Sequence, residues 1–447
     1  MFLKGDFNFK VLIFIFCFFN AICSFSQEKI DYLINATLLT QTDQLIVKQK
    51  ISFINKNKFL KKIYLTDWAN SYSSTKSPLA DRLVEEYTRS FYLSAKSKRG
   101  YNLISNIYVN NSKVNWKRNS KKPDIIEIIS DNPFESGIIN IELSYVVKLP
   151  SSKFTGYGKV KKDKYFLENF FITLSKFNDY KQITYSNLDL EEVPINSSKF
   201  NIELRIDKDL NVSSSLDLKN YKKENTEVTY SFESNKIKQV IFLIGNDELN
   251  LMEFNLDEKL ININIDLKDF KLESQKSSLK KILQFVDSIQ PIDQPSKILI
   301  TNEKYSKRPF YGLSIMPTFL NSFSKVFEYE IKVLSVYLQF LIKENFNLDS
   351  RKDYWFESGL YYYLMLKYLK KNYPDRLILD EIFKQPILRF FLKRYKLGKL
   401  GTDDLFLNFH EFMVRRNLHQ EITLPKNELT RYNEQIGSPS QTALLFE

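Results

Sequence analysis

Histidine is almost missing from this chain: 447 residues contain only His410 and His419. Cysteine is as scarce, and both copies, Cys17 and Cys23, fall within the first 26 residues. Beyond that segment no thiol is left to form a disulfide or hold a metal. Glycine is sparse too, at 11 residues, and neither a G-x-x-x-x-G-K-[ST] loop nor a dinucleotide-binding glycine fingerprint is present. No Ser-His-Asp or Cys-His constellation stands out. After residue 26 no second long apolar stretch occurs, and a membrane-spanning helix needs about 20 such residues. These absences exclude disulfide scaffolds, thiol enzymes, P-loop NTPases and nicotinamide enzymes.

What is present begins with a targeting segment. Lys4 and Lys10 flank a basic start, Val11 to Phe19 form a short apolar run, and Ser24-Phe25-Ser26 supplies small residues around a cleavage point. Residues 1–26 read as a signal peptide cut before Gln27. The protein is therefore expected to be exported to the periplasm, the cell surface or the medium, with no stable membrane insertion after cleavage. The net charge is +12, but the lysines are scattered and alternate with acids. That pattern reads as a solvated surface, with nucleic acid excluded as a partner and an anionic envelope component left open.

From residue 27 to 247 the apolar residues recur at every second position. Leu45, Val47, Ile51 and Phe53 form one such row. Ile139, Ile141, Leu143, Tyr145 and Val147 form another, and Phe200, Ile202, Leu204 and Ile206 a third. Each predicts a half-buried strand, and together they predict an antiparallel sandwich or saddle-shaped sheet. Asp67-Trp68-Ala69-Asn70 and a helical-looking stretch from Leu79 to Phe91 interrupt it, with Trp68 read as a packing feature. From 248 to 447 the pattern becomes α+β and then mostly helical. A strand at Leu260–Leu267 precedes a helix carrying Leu279, Ile282, Leu283, Val286 and Ile289 at the 3.6-residue period. A strand at Lys297–Thr301 follows. Helices are then expected at about Phe327–Glu344, Tyr354–Asn372, Asp380–Tyr395 and Asp403–Arg416, the second capped by Asp349 or Ser350.

Three pieces carry a resemblance to the aminopeptidase N family of gluzincin metallopeptidases. Phe242-Leu243-Ile244-Gly245 resembles that family's exit from its β domain. Lys352-Asp353-Tyr354-Trp355-Phe356-Glu357-Ser358-Gly359-Leu360, with Tyr363, resembles its N-D-L-W-L-N-E-G-F-A-x-Y segment. Tyr368 to Asp375 resembles the end of the same helix. Asp67 to Ser71 and Arg351 to Tyr373 are most similar to an exported, flavobacterial-type branch. The resemblance implies a β-saddle domain over 27–247 and a thermolysin-like, gluzincin-type peptidase domain over 248–447. It also implies a chain truncated at its C-terminus relative to those relatives.

The family's chemistry needs zinc on two histidines four residues apart and a glutamate on a second helix, with another glutamate activating the bound water. With eighteen residues between the two motifs, the resemblance puts the histidines at Leu334 and Leu338, the base at Ser335 and the remaining ligand at Glu357. Leucine cannot ligate a metal and serine has no carboxylate. The amino-anchoring segment corresponds to Gly312–Pro317, which holds no acid, and the oxyanion-stabilising tyrosine to Ser438, with Tyr432 as an alternative. Glu357 is expected to be a relict that hydrogen-bonds or pairs with a cation such as Arg351 or Lys352. Tyr361-Tyr362-Tyr363 reads as packing, and His410 as a residue beside the apolar stripe of its helix. No metal or other cofactor is expected. The sequence thus points to a non-catalytic binder of a peptide, protein or envelope component, the alternative being a zinc-dependent aminopeptidase as the resemblance itself implies.

Overall fold

A computed structural model describes residues 30–86, 88–178, 181–189, 195–246, 252–256, 259–265, 267, 270–289, 297–310, 324–373, 390, 394 and 410–447. The signal segment, Gly312–Pro317 and most of the helix expected at Asp380–Tyr395 lie outside these residues, as does the helix expected at Asp403–Arg416 before His410.

The period-two rows are strands. An eight-stranded sheet runs in the spatial order Asp217–Lys223, Glu227–Ile237, Ser198–Asp207, Ile30–Leu39, Gln44–Asn55, Gly137–Lys148, Tyr101–Val109 and Ser112–Lys113. All its pairings are antiparallel except that of Ile30–Leu39 with Ser198–Asp207. Ile51 faces Tyr32 on one side and Ile141 on the other, so one apolar row runs across the strands. That row is buried because alternate side chains point to the same face, and Tyr32, Ile34, Val47, Ile141 and Phe200 are all buried. The remaining described strands of this half build two four-stranded sheets and one two-stranded pair, Phe177–Asn178 with Lys181–Gln182. Strand Ile241–Gly245 of one of them is buried along its length, which explains its unbroken apolar sequence.

The second half begins with a three-stranded sheet in which Lys259–Asn264 pairs in parallel with Lys297–Thr301. Six α-helices lie wholly within the described residues. α1 is Pro78–Glu85, α2 Leu272–Asp287, α3 Asn302–Lys307, α4 Lys325–Asn345, α5 Tyr354–Asn372 and α6 Ser438–Phe446. Hydroxyl side chains start three of them: Ser77 caps α1, Thr301 caps α3 and Ser324 caps α4 by accepting from backbone N–H groups. The expected cap on α5 is different. Asp353 precedes that helix without a side-chain cap, while the Asp349 carboxylate accepts from the N–H groups of Arg351 and Lys352 and closes the preceding turn.

α4 is buried on every side from Val333 to Ile342, as expected of a helix lying inside a core. In its first half, buried Glu330 accepts from the Tyr368 hydroxyl of α5 at 2.6 Å and pairs with Lys281 of α2 at 3.1 Å. The mixed architecture, with a large β region first and helices toward the C-terminus, agrees with the sequence.

α5 and α6 lie so close that a Cβ on Gly359 would fall 2.2 Å from Thr442 Cγ2. Gly359→Ala is expected to destabilise the protein by about 1–3 kcal/mol through overpacking, measured by urea unfolding. Adding Thr442→Gly should recover part of the loss, and no recovery would place the strain elsewhere.

Candidate functional site

The expected site residues separate into two environments. Leu334 and Leu338 are buried at 0% and 1% exposure and belong to the hydrophobic core. Ser335 lies one position on, about 100° around the helix from Leu334, and its Oγ is 2.6 Å from the Tyr361 hydroxyl of α5. Gln339, one turn further along α4, donates from Nε2 to Ser335 Oγ at 3.2 Å and to the Arg308 carbonyl at 3.2 Å. The polar i, i+4 pair of α4 is therefore Ser335 and Gln339.

Glu357 is buried in the first turn of α5, and its partner is Arg308 rather than Arg351 or Lys352. Arg308 Nη1 lies 3.2 Å from Glu357 Oε1. Its Nη2 reaches the Tyr354 hydroxyl, and its guanidinium sits 5.2 Å and 5.5 Å from the Tyr354 and Tyr361 ring centroids. Arg351 instead stacks 4.1 Å from the Tyr185 ring centroid and donates to the Ser186 carbonyl. It belongs to the loop before α5, which faces the β region. Ser358 turns its hydroxyl onto the Tyr354 carbonyl of its own helix.

Ser438 opens α6 and donates weakly to the Ile422 carbonyl at 3.5 Å, while Tyr432 is 39% exposed. His410 Nδ1 lies 2.8 Å from the Gln441 amide. The tyrosine triplet packs as expected: Tyr361 and Tyr362 are buried, and the Tyr362 hydroxyl donates to the Gln435 carbonyl.

Zinc, which the sequence resemblance implies, does not fit these residues. The metal takes thiolate, imidazole or carboxylate donors. Leu334 and Leu338 offer none, Ser335 and Gln339 are neutral and already hydrogen-bonded, and the Glu357 carboxylate is held by a guanidinium. Among the described residues no three His, Cys, Asp or Glu side chains gather.

Beside this cluster a cleft opens between the β region and the ends of α4 and α5, enclosing about 1150 Å³ with its solvent-open space counted. Trp68, Tyr72, Tyr157 and Gln239 line it from the β region, and Ile342, Phe346, Asp349 and Glu357 from the helical side. Trp68 is only half-buried, so it borders the cleft besides packing. Its short helical segment, Trp68–Ser73, is held at its base by Asp67, which accepts from the Asn102 amide at 3.0 Å and pairs with Arg118 at 2.7 Å.

Charged groups tie the two halves together around the cleft. Lys304 and Lys307 of α3 hold the two oxygens of Glu168 at 2.8 and 2.9 Å. Lys238 Nζ donates to the Lys343, Glu344 and Phe346 carbonyls at the C-terminus of α4, where a cation complements the helix dipole. Burial nevertheless lowers its pKa to about 8. The N–H groups of Lys238 and Gln239 donate to the Glu344 carboxylate, but burial outweighs them and raises that carboxyl to about 7.

No protein-family model and no curated protein matches the chain. Among solved structures, the chain is similar to an M1 zinc metallopeptidase from Deinococcus radiodurans at 11% identity, covering 94% of this chain and 93% of that one, with a TM-score of 0.43. A mutant of that enzyme bound to a Tyr-Ser-Ala substrate matches at 11% identity over 94% of each chain, TM-score 0.46. A two-domain M1 zinc metallopeptidase mutant bound to L-arginine matches at 12% over 94% of each, TM-score 0.45. Likeness at this level carries no argument about chemistry, which rests here on the residues themselves.

Sequence reasoning missed Arg308 and Gln339. Arg308 had no signal, since it lies 49 residues from Glu357. Gln339 had one: it stands four residues after Ser335, the only other non-aromatic polar side chain from Val333 to Ile342.

Two measurements follow. Arg308→Leu strands a buried carboxylate and should cost about 3–5 kcal/mol of stability, with much of it restored by adding Glu357→Leu; equal losses in the single and double variants would argue against the pairing. Glu344 has its folded pKa raised from 4.5 to about 7, so the folded state holds more protons than the unfolded state between those values. Its stabilising contribution is complete below about 4.5 and is lost as pH rises through about 7. Thermal midpoints of Glu344→Gln across pH 4.5–8 should lack this fall, and a parallel pair of curves would refute the assignment.

Proposed function

We propose that this protein is an exported, non-catalytic relative of the aminopeptidase-N-type metallopeptidases that binds a polypeptide or an envelope component in the cleft beside Glu357. The observation that carries this reading is the Arg308 guanidinium. It places a fixed positive charge on the one carboxylate of the cluster, where a catalytic site would need an open metal position. The family segment quoted above carries glycine directly after its glutamate. Pairing that glycine with Gly359 places the family's glutamate at Ser358, and the same eighteen-residue interval then places its two histidines at Ser335 and Gln339. This register is supported by the contacts of Ser335 and Gln339 with Tyr361 and Arg308. In it, the three ligand positions carry hydroxyl, amide and hydroxyl groups. In the register that uses Leu334, Leu338 and Glu357, two ligands are likewise gone. Both lead to the same chemistry: a metal that lacks at least two of its three ligands is not held there to activate a water molecule.

Purified protein incubated with zinc and dialysed should retain well under one equivalent by elemental analysis, and should release no aminoacyl reporter in a chelator-sensitive way. One zinc per chain, with hydrolysis abolished by chelator, overturns the proposal. The triple change Ser335→His, Gln339→His and Ser358→Glu should bind zinc more tightly than Leu334→His with Leu338→His. The reverse order would reject the Gly359 register.

A further inference from the structure

The turn between strands Gln44–Asn55 and Lys62–Thr66 presents a phenylalanine to water. Phe59 is 84% exposed, in the run Lys56-Asn57-Lys58-Phe59-Leu60-Lys61-Lys62. The turn that holds it is ordered by hydrogen bonds. Asn57 accepts the Phe59 N–H on its side-chain oxygen at 2.9 Å and the Leu60 N–H on its carbonyl at 3.2 Å. Leu60 is buried, and its carbonyl accepts from the Phe134 N–H at 2.7 Å. With Leu60 fixed inward, its neighbour Phe59 is held outward. One exposed apolar side chain is ordinary by itself, but the surroundings of this one are not.

Phe59 lines an open groove that the turn shares with residues 119–122 and 177–184, enclosing about 1180 Å³ with its solvent-open space counted. Lys61, Lys62, Lys122 and Lys181 line it too, and among the described residues no carboxylate does. Two of these lysines are engaged. Lys62 pairs with Glu127 at 2.7 Å, and Lys122 donates to the Thr184 carbonyl at 2.7 Å. Lys61 and Lys181 are exposed, as are Lys56 and Lys58 of the turn and Lys121 beside Lys122. None of these five forms an ion pair among the described residues. The groove shares no lining residue with the cleft beside Glu357.

Five ammonium groups around one exposed ring call for negative charge and an apolar phase together. All five belong to lysines, compact charges on flexible stems, with no arginine fork to fix a single carboxylate or phosphate. Such a set matches many mobile anions spread over a surface rather than one ligand of fixed geometry. A hydrophilic polyanion would answer the lysines and leave Phe59 in water. Anionic phospholipid answers both, since its headgroups attract basic segments and its acyl boundary receives apolar side chains.

We propose that this face docks the protein reversibly on an anionic phospholipid surface. Phe59 enters the headgroup–acyl boundary, and Lys56, Lys58, Lys61, Lys121 and Lys181 meet lipid phosphates. The attachment is peripheral, uses no spanning segment and is independent of what the cleft binds.

The test is vesicle co-sedimentation of the chain from Gln27 onward, because the apolar run before it would enter bilayers by itself. Phosphatidylcholine vesicles with about 30% phosphatidylglycerol should bind the protein, and vesicles of phosphatidylcholine alone should not. Binding should fall steeply as salt rises from about 0.05 to about 0.5 M. Phe59→Ser should weaken it by about three- to tenfold and leave the thermal midpoint unchanged, because so exposed a ring has little packing to lose. Lys58→Gln, Lys61→Gln and Lys181→Gln together should weaken it by about tenfold or more and flatten the salt dependence. The same loss of charge on the edge strand, by Lys219→Gln, Lys222→Gln and Lys223→Gln, should leave most of the binding. Equal binding to both vesicle types, binding to neither, or equal losses in the two triple variants overturns the proposal. Tight binding of dextran sulfate, with vesicle binding unaffected by Phe59→Ser, assigns the face to an anionic polymer and overturns the lipid assignment.

Discussion

Arg308 sits where α4 and α5 meet, and the residues around it are arranged to satisfy its charge. Its guanidinium pairs with Glu357, reaches the Tyr354 hydroxyl and lies over the rings of Tyr354 and Tyr361. Its carbonyl accepts from Gln339, which in turn donates to Ser335 and through it meets Tyr361. Three side chains of α5 thus meet the Arg308 cation, and two of α4 are tied to its backbone carbonyl, with Glu357 and Arg308 dependent on each other because an unpaired buried charge is so unfavourable. Elsewhere α4 is packed by apolar contacts that tolerate small shifts. The polar cluster does not, and it fixes the rotation of α4 against α5.

The same logic holds at the junction of the two halves. Glu168 in a β-strand receives both lysines of α3, and the backbone of residues 238 and 239 holds Glu344 while the Lys238 ammonium caps α4. These contacts set the walls of the cleft. Buried lysine and glutamate with displaced pKa values at such a joint have a structural origin: they fasten a helix end to a sheet edge and hold charge at a desolvation penalty. They need no catalytic explanation.

Polar groups with and without partners inside the fold occur in both halves of the protein. Around Arg308 the hydroxyls and amides have partners inside the fold, which suits a cluster that holds helices together. Along the cleft wall Trp68, Tyr157 and Gln239 have polar atoms without them. Site and scaffold are adjacent, since Glu357 borders both, but their chemistry differs.

Much of the fold was legible in the sequence. Alternation at Leu45–Phe53, Ile139–Val147 and Phe200–Ile206 gave the strands, because side-chain direction in a strand depends only on position parity. The helices near Phe327–Glu344 and Tyr354–Asn372 were equally readable, their lengths being set by local period and by where the polar loops begin. Local pattern also showed that Leu334, Ser335 and Leu338 carry no metal donors. It could not show which side of α4 meets α5. A shift of one residue rotates the relevant face by about 100°, and α4 is buried all round, so its apolar pattern does not single out a face. Nor could it supply Arg308 to Glu357, or bring Trp68, Tyr157 and Gln239 to one wall. Those contacts join residues far apart in the chain, and only the way the β region and the helices close on each other decided them.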